Sequence, residues 1–137
     1  MVVMEIEANH NSPDFVSRFI DCLFYHGAFF DCIEDCMDKE TRESMESTFF
    51  VPAIKNIVAA EGDDRKCRNV TVDVWKAYFS RFEFEEVDLS ETALYQASLV
   101  AEEFRCGKSC TFERKGMSLI VGWKGTPVQS ISLFKFD

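Results

Sequence analysis

The sequence predicts an α/β layer architecture, with strands at both ends of the chain and helices between them. Three observations carry this. A short apolar run opens the chain, apolar residues recur at steps of three and four through the middle, and from Thr111 onward the pattern breaks into short strand-like runs separated by turn residues.

The opening run is Val2-Val3-Met4-Glu5-Ile6, followed by the polar string Glu7-Ala8-Asn9-His10-Asn11, as expected of a buried strand and the loop at its carboxyl end. Ser12-Pro13 reads as an N-cap followed by Pro at the first helical position. Phe15, Phe19, Leu23, His26, Phe30, Ile33 and Met37 then recur about one turn apart, which predicts one long amphipathic helix interrupted at most by Gly27. A second helical stretch begins near Lys39, turns Met45, Phe49, Ile54, Ile57 and Val58 to one side, kinks at Pro52 and stops at Gly62. Thr71 reads as the cap of a short helix with Val74, Trp75, Tyr78 and Phe82 inward. Ser90 reads as the cap of another, with Leu94, Ala97, Val100 and Phe104 inward and its end at Gly107.

The tail supplies residues 111–113, a Lys115-Gly116 turn, the apolar run 117–123, a turn at Gly125-Thr126-Pro127, and residues 128–136. Together these predict a terminal antiparallel strand pair. A buried strand at the N-terminus needs neighbours on both edges, and the terminal pair supplies only part of them. The chain therefore reads as cut from a larger sheet.

Composition narrows the function classes. The 47% hydrophobic content of 137 residues is enough for a single core, and with fourteen Phe the chain is neither disordered nor low in complexity. A net charge of −9, from 15 basic and 24 acidic residues, argues against autonomous binding to a phosphate backbone. The basic residues gather weakly, as Arg65, Lys66 and Arg68 and as Arg105, Lys108, Arg114 and Lys115, and read as solvated loops rather than a DNA-contacting patch. No stretch approaches the ~20 apolar residues of a membrane span, and no signal peptide is legible, so an intracellular protein without membrane partners is expected.

Six Cys, at positions 22, 32, 36, 67, 106 and 110, accompany a rich core and are expected as reduced thiols. Cys32 and Cys36 share a helix face, and Cys106 and Cys110 repeat the spacing. Neither pair has the tight knuckle of a zinc site, and core packing is the simpler reading, so no metal is expected. Cys22 and His26, one turn apart, are weighed as a catalytic pair and read instead as core residues. The aromatic series Phe15, Phe19, Phe24, Tyr25, Phe29 and Phe30 covers more than one helix face; core packing alone is the preferred reading, with a second face packed on a helical cap or a partner subunit as the alternative. Trp75 and Trp123 read as packing anchors of the terminal sheet, with a partner-surface role as the second reading.

The string Glu7-Ala8-Asn9-His10-Asn11, followed by Phe15, Arg18, Phe19, Leu23, Phe24, Tyr25, Phe30 and Asp31, resembles the segment called PFYRE in the GRAS family of plant transcriptional regulators. Ile54, Ile57, Val58, Ala59, Ala60, Glu61, Gly62 and Arg65 continue that resemblance. Trp75, Gln96-Ala97-Ser98 and Leu119-Ile120-Val121-Gly122-Trp123-Lys124-Gly125 are similar to the terminal segment named SAW. There are departures. Glu83 stands where the family has a Gly after its Trp75 equivalent, and Phe134 where it has a second Trp after Trp123, so the closing Ser-Ala-Trp reads Ser132-Leu133-Phe134. Arg65-Lys66-Cys67-Arg68-Asn69 also departs from the usual stretch, which suggests a diverged, Scarecrow-like branch.

The resemblance implies a PFYRE-like segment over residues 1–70 and a SAW-like segment over 71–137, together the C-terminal part of a Rossmann-like, methyltransferase-type domain. The family's leucine-rich and central segments are not in this chain. It further implies a nuclear, non-enzymatic regulator of transcription working with other transcription factors or GRAS proteins, as homo- or heterodimers, with DNA met directly or through those partners. Because the implied fold is shared with methyltransferases, Glu5, Glu7 and Asn9, at the carboxyl end of the first strand, are weighed as facing an S-adenosylmethionine pocket. Hydrogen bonds that fix the strand-to-helix turn are the preferred reading, and no cofactor is expected. The alternatives are a methyltransferase-like protein that keeps cofactor binding, and a non-functional remnant.

Overall fold

The sheet is organised by its last strand. In the computed structural model, which describes residues 1–136, β5 (Thr126–Phe136) pairs antiparallel with β4 (Ser118–Trp123), with β1 (Val2–Ile6) and, towards its carboxyl end, with β2 (Phe84–Val87). β3 (Cys110–Lys115) pairs with the outer side of β4, giving the order β1-β5-β4-β3. The expected terminal pair is thus a three-stranded meander. Its second turn centres on Lys124-Gly125, with φ of 47° and 87°, because Thr126 and Pro127 already pair with Trp123 and Gly122. Two consecutive positive φ values match the twist of a tight hairpin and favour Gly at the second position. β2 was not anticipated: four residues are too few for a period to declare itself.

Contacts divide the chain into two compact units, Met1–Glu7 with the segment from Val70 onward, and Ala8–Asn69. In the first, α4 (Val72–Ser80) packs on the sheet through Phe79, whose ring lies 4.9 Å from Phe134 and 5.9 Å from Phe84. Beside this apolar contact runs a polar one. Ser118 and Ser132 hydroxyls lie 2.7 Å apart, Ser118 donates to Glu86 at 2.6 Å, and Lys76 pairs with Glu86 at 2.9 Å. The buried hydroxyls are therefore satisfied, as burial requires.

Thr71 occupies the N-cap position of α4, but its side chain makes no capping bond. The Glu7 carboxylate, at the end of β1, accepts the Val72 N–H instead at 2.8 Å, where a negative charge also suits the helix dipole. Ser90 caps α5 (Glu91–Glu102) as expected, accepting the Ala93 N–H at 3.1 Å. That helix stops before Gly107 and has no buried residue; Val100 and Phe104, expected inward, are exposed. β1 also differs from the expected buried strand. It lies at the end of the sheet order with Val2 and Met4 exposed and, among the described residues, no strand on its outer side.

The second unit is helical: α1 (Phe15–Cys36), α2 (Lys39–Met45), a π-helical segment Glu46–Phe50, and α3 (Val51–Ala59). The cap of α1 is Asp14, not Ser12. Its carboxylate accepts both the N–H and the hydroxyl of Ser17 at 2.7 Å, while the Ser12 carbonyl is engaged elsewhere. Gly27 does not interrupt the helix. The predicted kink at Pro52 is the π segment just ahead of it. Pro52 brings no N–H to the preceding turn, and a widened turn absorbs the missing bond.

Gly107 and Gly27 make opposite demands. A Cβ at Gly107 would lie 1.6 Å from the Ala101 carbonyl oxygen, whereas one at Gly27 meets nothing within 4 Å. Gly107→Ala is expected to destabilise by about 2 kcal/mol or more through overpacking. Gly27→Ala should stabilise by up to about 1 kcal/mol through helix propensity. Urea midpoints of the two variants check both signs.

Candidate functional site

The helical unit is built around charged and polar residues that hydropathy would place in water. Arg18, one turn into α1, is 1% exposed. Its Nε donates to the Ile57 carbonyl at 2.9 Å, and its two terminal nitrogens donate to the Ser12 carbonyl at 3.0 Å and to Glu61 at 2.6 Å. Ile57 lies in the last turn of α3, where carbonyls lack helical partners, so the guanidinium satisfies an orphan acceptor while joining α1, α3 and the loop before α1. A second guanidinium repeats the device: buried Arg65 donates to the His10 carbonyl at 3.0 Å. Arg68 in turn donates to the Arg65 carbonyl at 3.0 Å and to Asn11 at 3.2 Å.

His10 is fully buried. Its ring stands edge-on to Tyr25 and stacks on His26 at 5.8 Å, with Nδ1 3.1 Å from the Asn69 amide nitrogen. Burial, and after it the neighbouring His26, pushes its pKa down to about 4, partly opposed by the Asp21 carbonyl. Burial likewise lowers His26 and raises Tyr25 to about 12. Both imidazoles are thus neutral packing elements at pH 7.

The apolar stripe of α1 is only half covered. His26 and Ile33 are buried and Phe30 meets Phe50, but Phe15, Phe19 and Leu23 on the same face are exposed, as are Val16, Ile20 and Phe24 beside them. Where the covered half gives way to the open half lies an apolar groove of about 140 Å³, lined from α1 by Phe19, Cys22, Leu23, His26, Gly27 and Phe30 and from α3 by Ile54 and Val58. A contiguous exposed apolar surface of this kind marks a binding face.

The other candidates fare differently. Of Glu5, Glu7 and Asn9, Glu7 caps α4 and pairs with Lys115 at 3.3 Å, a structural task. Glu5 lies within β1 and lends its carbonyl to the Ser130 hydroxyl at 3.4 Å, and Asn9 is exposed. Cys22 lies 3.4 Å from His26 Nδ1, yet burial raises its thiol to about 11, the reverse of the electrostatics that produces a nucleophilic thiolate. Cys32 and Cys36 thiols lie 3.9 Å apart. Among the described residues no third His, Cys, Asp or Glu joins any such pair as a metal site would require.

Five of the seven basic residues in the two groups are held within the chain. Arg65 and Arg68 bind backbone, Lys66 reaches the Asp63 carbonyl, Arg114 binds Asp88 and Glu91, and Lys115 binds Glu7 and Asp73. Trp123 is buried in the sheet, while Trp75 is half-buried against Phe79 with its indole N–H unpartnered. No helix is long and apolar enough to cross a membrane among the described residues. Sequence reasoning missed the roles of Arg18 and Arg65. Both stood in the quoted motifs, but an Arg inside an amphipathic pattern gives no sign that it is the buried residue.

The pattern that describes the GRAS domain family matches residues 1–135. DELLA protein GAIP of Cucurbita maxima is 35% identical over 135 residues, covering 98% of this chain and 23% of that protein. Scarecrow-like protein 18 of Arabidopsis thaliana is 31% identical over 137 residues, covering 98% of this chain and 31% of that protein. The crystal structure of SCL7 in Oryza sativa superposes with a TM-score of 0.89 at 27% identity, over 98% of this chain and 38% of that one. The chain therefore spans about a quarter to a third of the curated relatives cited here, and the fold is the α/β, methyltransferase-type fold that the resemblance implied, of which it forms a part.

Two outcomes are expected. Arg18→Ala leaves a cavity and two carbonyls without their donor, and should destabilise by about 3–5 kcal/mol. Glu61→Gln should do less, since the amide oxygen can still accept from Arg18 and the position is 69% exposed. For His10, the folded pKa lies below the unfolded one, so the unfolded chain binds the proton more readily. Its contribution is fully present above about pH 6.5 and is lost as pH falls towards 4, by about 3 kcal/mol. Unfolding free energies across that range for wild type and His10→Gln check this, the variant lacking that part of the slope.

Proposed function

This chain belongs to the GRAS family, and we propose that it acts in transcriptional regulation in the nucleus, through protein partners and without catalysing a reaction. The partners are other transcription factors or GRAS proteins, including a second copy of a related chain. The observation that carries this reading is the half-open apolar face of α1, a surface suited to protein and not to nucleic acid.

Two further features support it. The net charge is −9, and the basic residues that a phosphate backbone would need are largely engaged by the chain's own carbonyls and carboxylates. DNA contact therefore falls to a partner. At the carboxyl end of β1, where an α/β fold would present a ligand pocket, Glu7 is occupied in capping α4.

Tethered to a heterologous DNA-binding domain in plant cells, the chain should enter the nucleus and change the output of a reporter gene. On random duplex DNA at ~150 mM salt, the purified chain should show no binding tighter than about 10 μM. An unchanged reporter would sink the proposal. Micromolar DNA binding with a steep salt dependence would shift the reading to direct contact, and saturable S-adenosylmethionine binding would shift it to a cofactor-dependent protein.

A further inference from the structure

Three guanidiniums meet on one tripeptide. Arg65 donates to the His10 carbonyl at 3.0 Å, Arg68 to the Asn11 side-chain oxygen at 3.2 Å, and Arg18 to the Ser12 carbonyl at 3.0 Å. Consecutive Cα atoms are only about 3.8 Å apart, so three positive charges gather around one short loop. They do so in a chain whose net charge is −9. Carboxylates reach only Arg18, which binds Glu61 at 2.6 Å and whose charge is also felt by Asp14, the cap of α1. Among the described residues, no carboxylate, those of Asp63 and Asp64 on the neighbouring turn included, pairs with Arg65 or Arg68.

Burying a guanidinium is costly unless its donors are matched and its charge is balanced. Arg65 is 6% exposed, yet it donates to the His10 carbonyl alone, and its Nε is buried without a partner. Burial, and after it the charges of Arg18 and Arg68, lower its pKa, with Glu61 opposing. The bonds that order this loop therefore leave positive charge and N–H donors over. The surplus has a solvent side, since Arg68, Asn11 and Glu61 are all exposed.

We infer that Arg65 and Arg68, with the Asn11 amide, form a binding site for a dianionic phosphate group, carried as the free ion or on a phosphorylated side chain. Two planar forks match the oxygens of a phosphate, and its charge of about −2 balances the surplus better than the single charge of a carboxylate. The anion takes donors that the loop leaves over. Arg65 keeps its carbonyl bond, and each terminal nitrogen of Arg68 retains a second N–H. Two forks at one point are also too few for a duplex, which needs cations spread along its backbone, so the site does not make the chain a DNA binder.

Titration of the full 137-residue chain with sodium phosphate, followed by the arginine Nε–H resonances at a constant ionic strength of ~150 mM, tests this. Saturable shifts of Arg65 and Arg68 are expected, with a Kd on the order of 1 mM or tighter, and acetate should bind about tenfold more weakly. Arg68→Gln, at an exposed position, should weaken phosphate about tenfold. Glu61→Gln, which removes the competing carboxylate, should tighten it about threefold. Loss of a merely structural contact would not give these opposite signs, and circular dichroism checks that both variants stay folded. A phosphoserine peptide bound more tightly than free phosphate identifies a modified protein as the source, and equal or weaker binding identifies the free ion. Absence of saturable phosphate binding, or binding that neither substitution changes, would overturn the proposal.

Discussion

The helical unit depends on where Arg18 goes. A guanidinium inside a helical bundle is tolerated only when its donors are matched, and here two backbone carbonyls and one carboxylate receive them. The acceptors come from three places in the chain, so matching them fixes α3 and the loops against one side of α1. Cys22 and His26, on that side, become core. Phe15, Phe19 and Leu23 run past the end of the cover and face solvent. The open face is thus a consequence of the clamp as much as of the apolar residues themselves.

The loop after α3 is held by the same chemistry. Arg65 binds the His10 carbonyl, Arg68 binds the Arg65 carbonyl, and the Asn56 side chain accepts the N–H groups of Lys66 and Cys67 at 2.7 Å. Side chains take over the backbone bonding that regular structure would otherwise supply, which is how a segment with little helix or strand stays ordered. It also explains why the cationic residues here are poor candidates for DNA contact: Arg65, Lys66 and Arg68 each spend a donor on a backbone carbonyl, and releasing them would unmake the loop.

Much of the fold was legible because it is written in local chemistry. Gly116 and Gly125 announce hairpins, although the turns centre on Gly116-Met117 and Lys124-Gly125, one residue off the expected positions; Ser90 announces a helix start, and the three-four period of α1 survives Gly27. What was not legible depends on contacts distant in sequence. Glu7 caps α4 from far upstream, so Thr71, the local candidate, was credited with a bond it does not make. The stripe was read as wholly core because period reveals a face and not the length of its cover. The buried Arg18 and His10 invert the hydropathy rule, and only their partners show why. The motifs that carry the family resemblance include both residues, so identity was readable where mechanism was not.

The central claim is that α1 buries its Arg18 side and leaves its N-terminal apolar stripe open. Hydroxyl-radical footprinting of the purified chain, paired with phenylglyoxal modification of arginine, tests it most directly. The structure predicts oxidation of Phe19, Leu23 and Phe24, protection of Ile33, and no modification of Arg18 until the chain unfolds. Ready modification of Arg18 with protection of Phe19, Leu23 and Phe24 would mean that the helix lies the other way round, and the surface on which the functional reading rests would not exist.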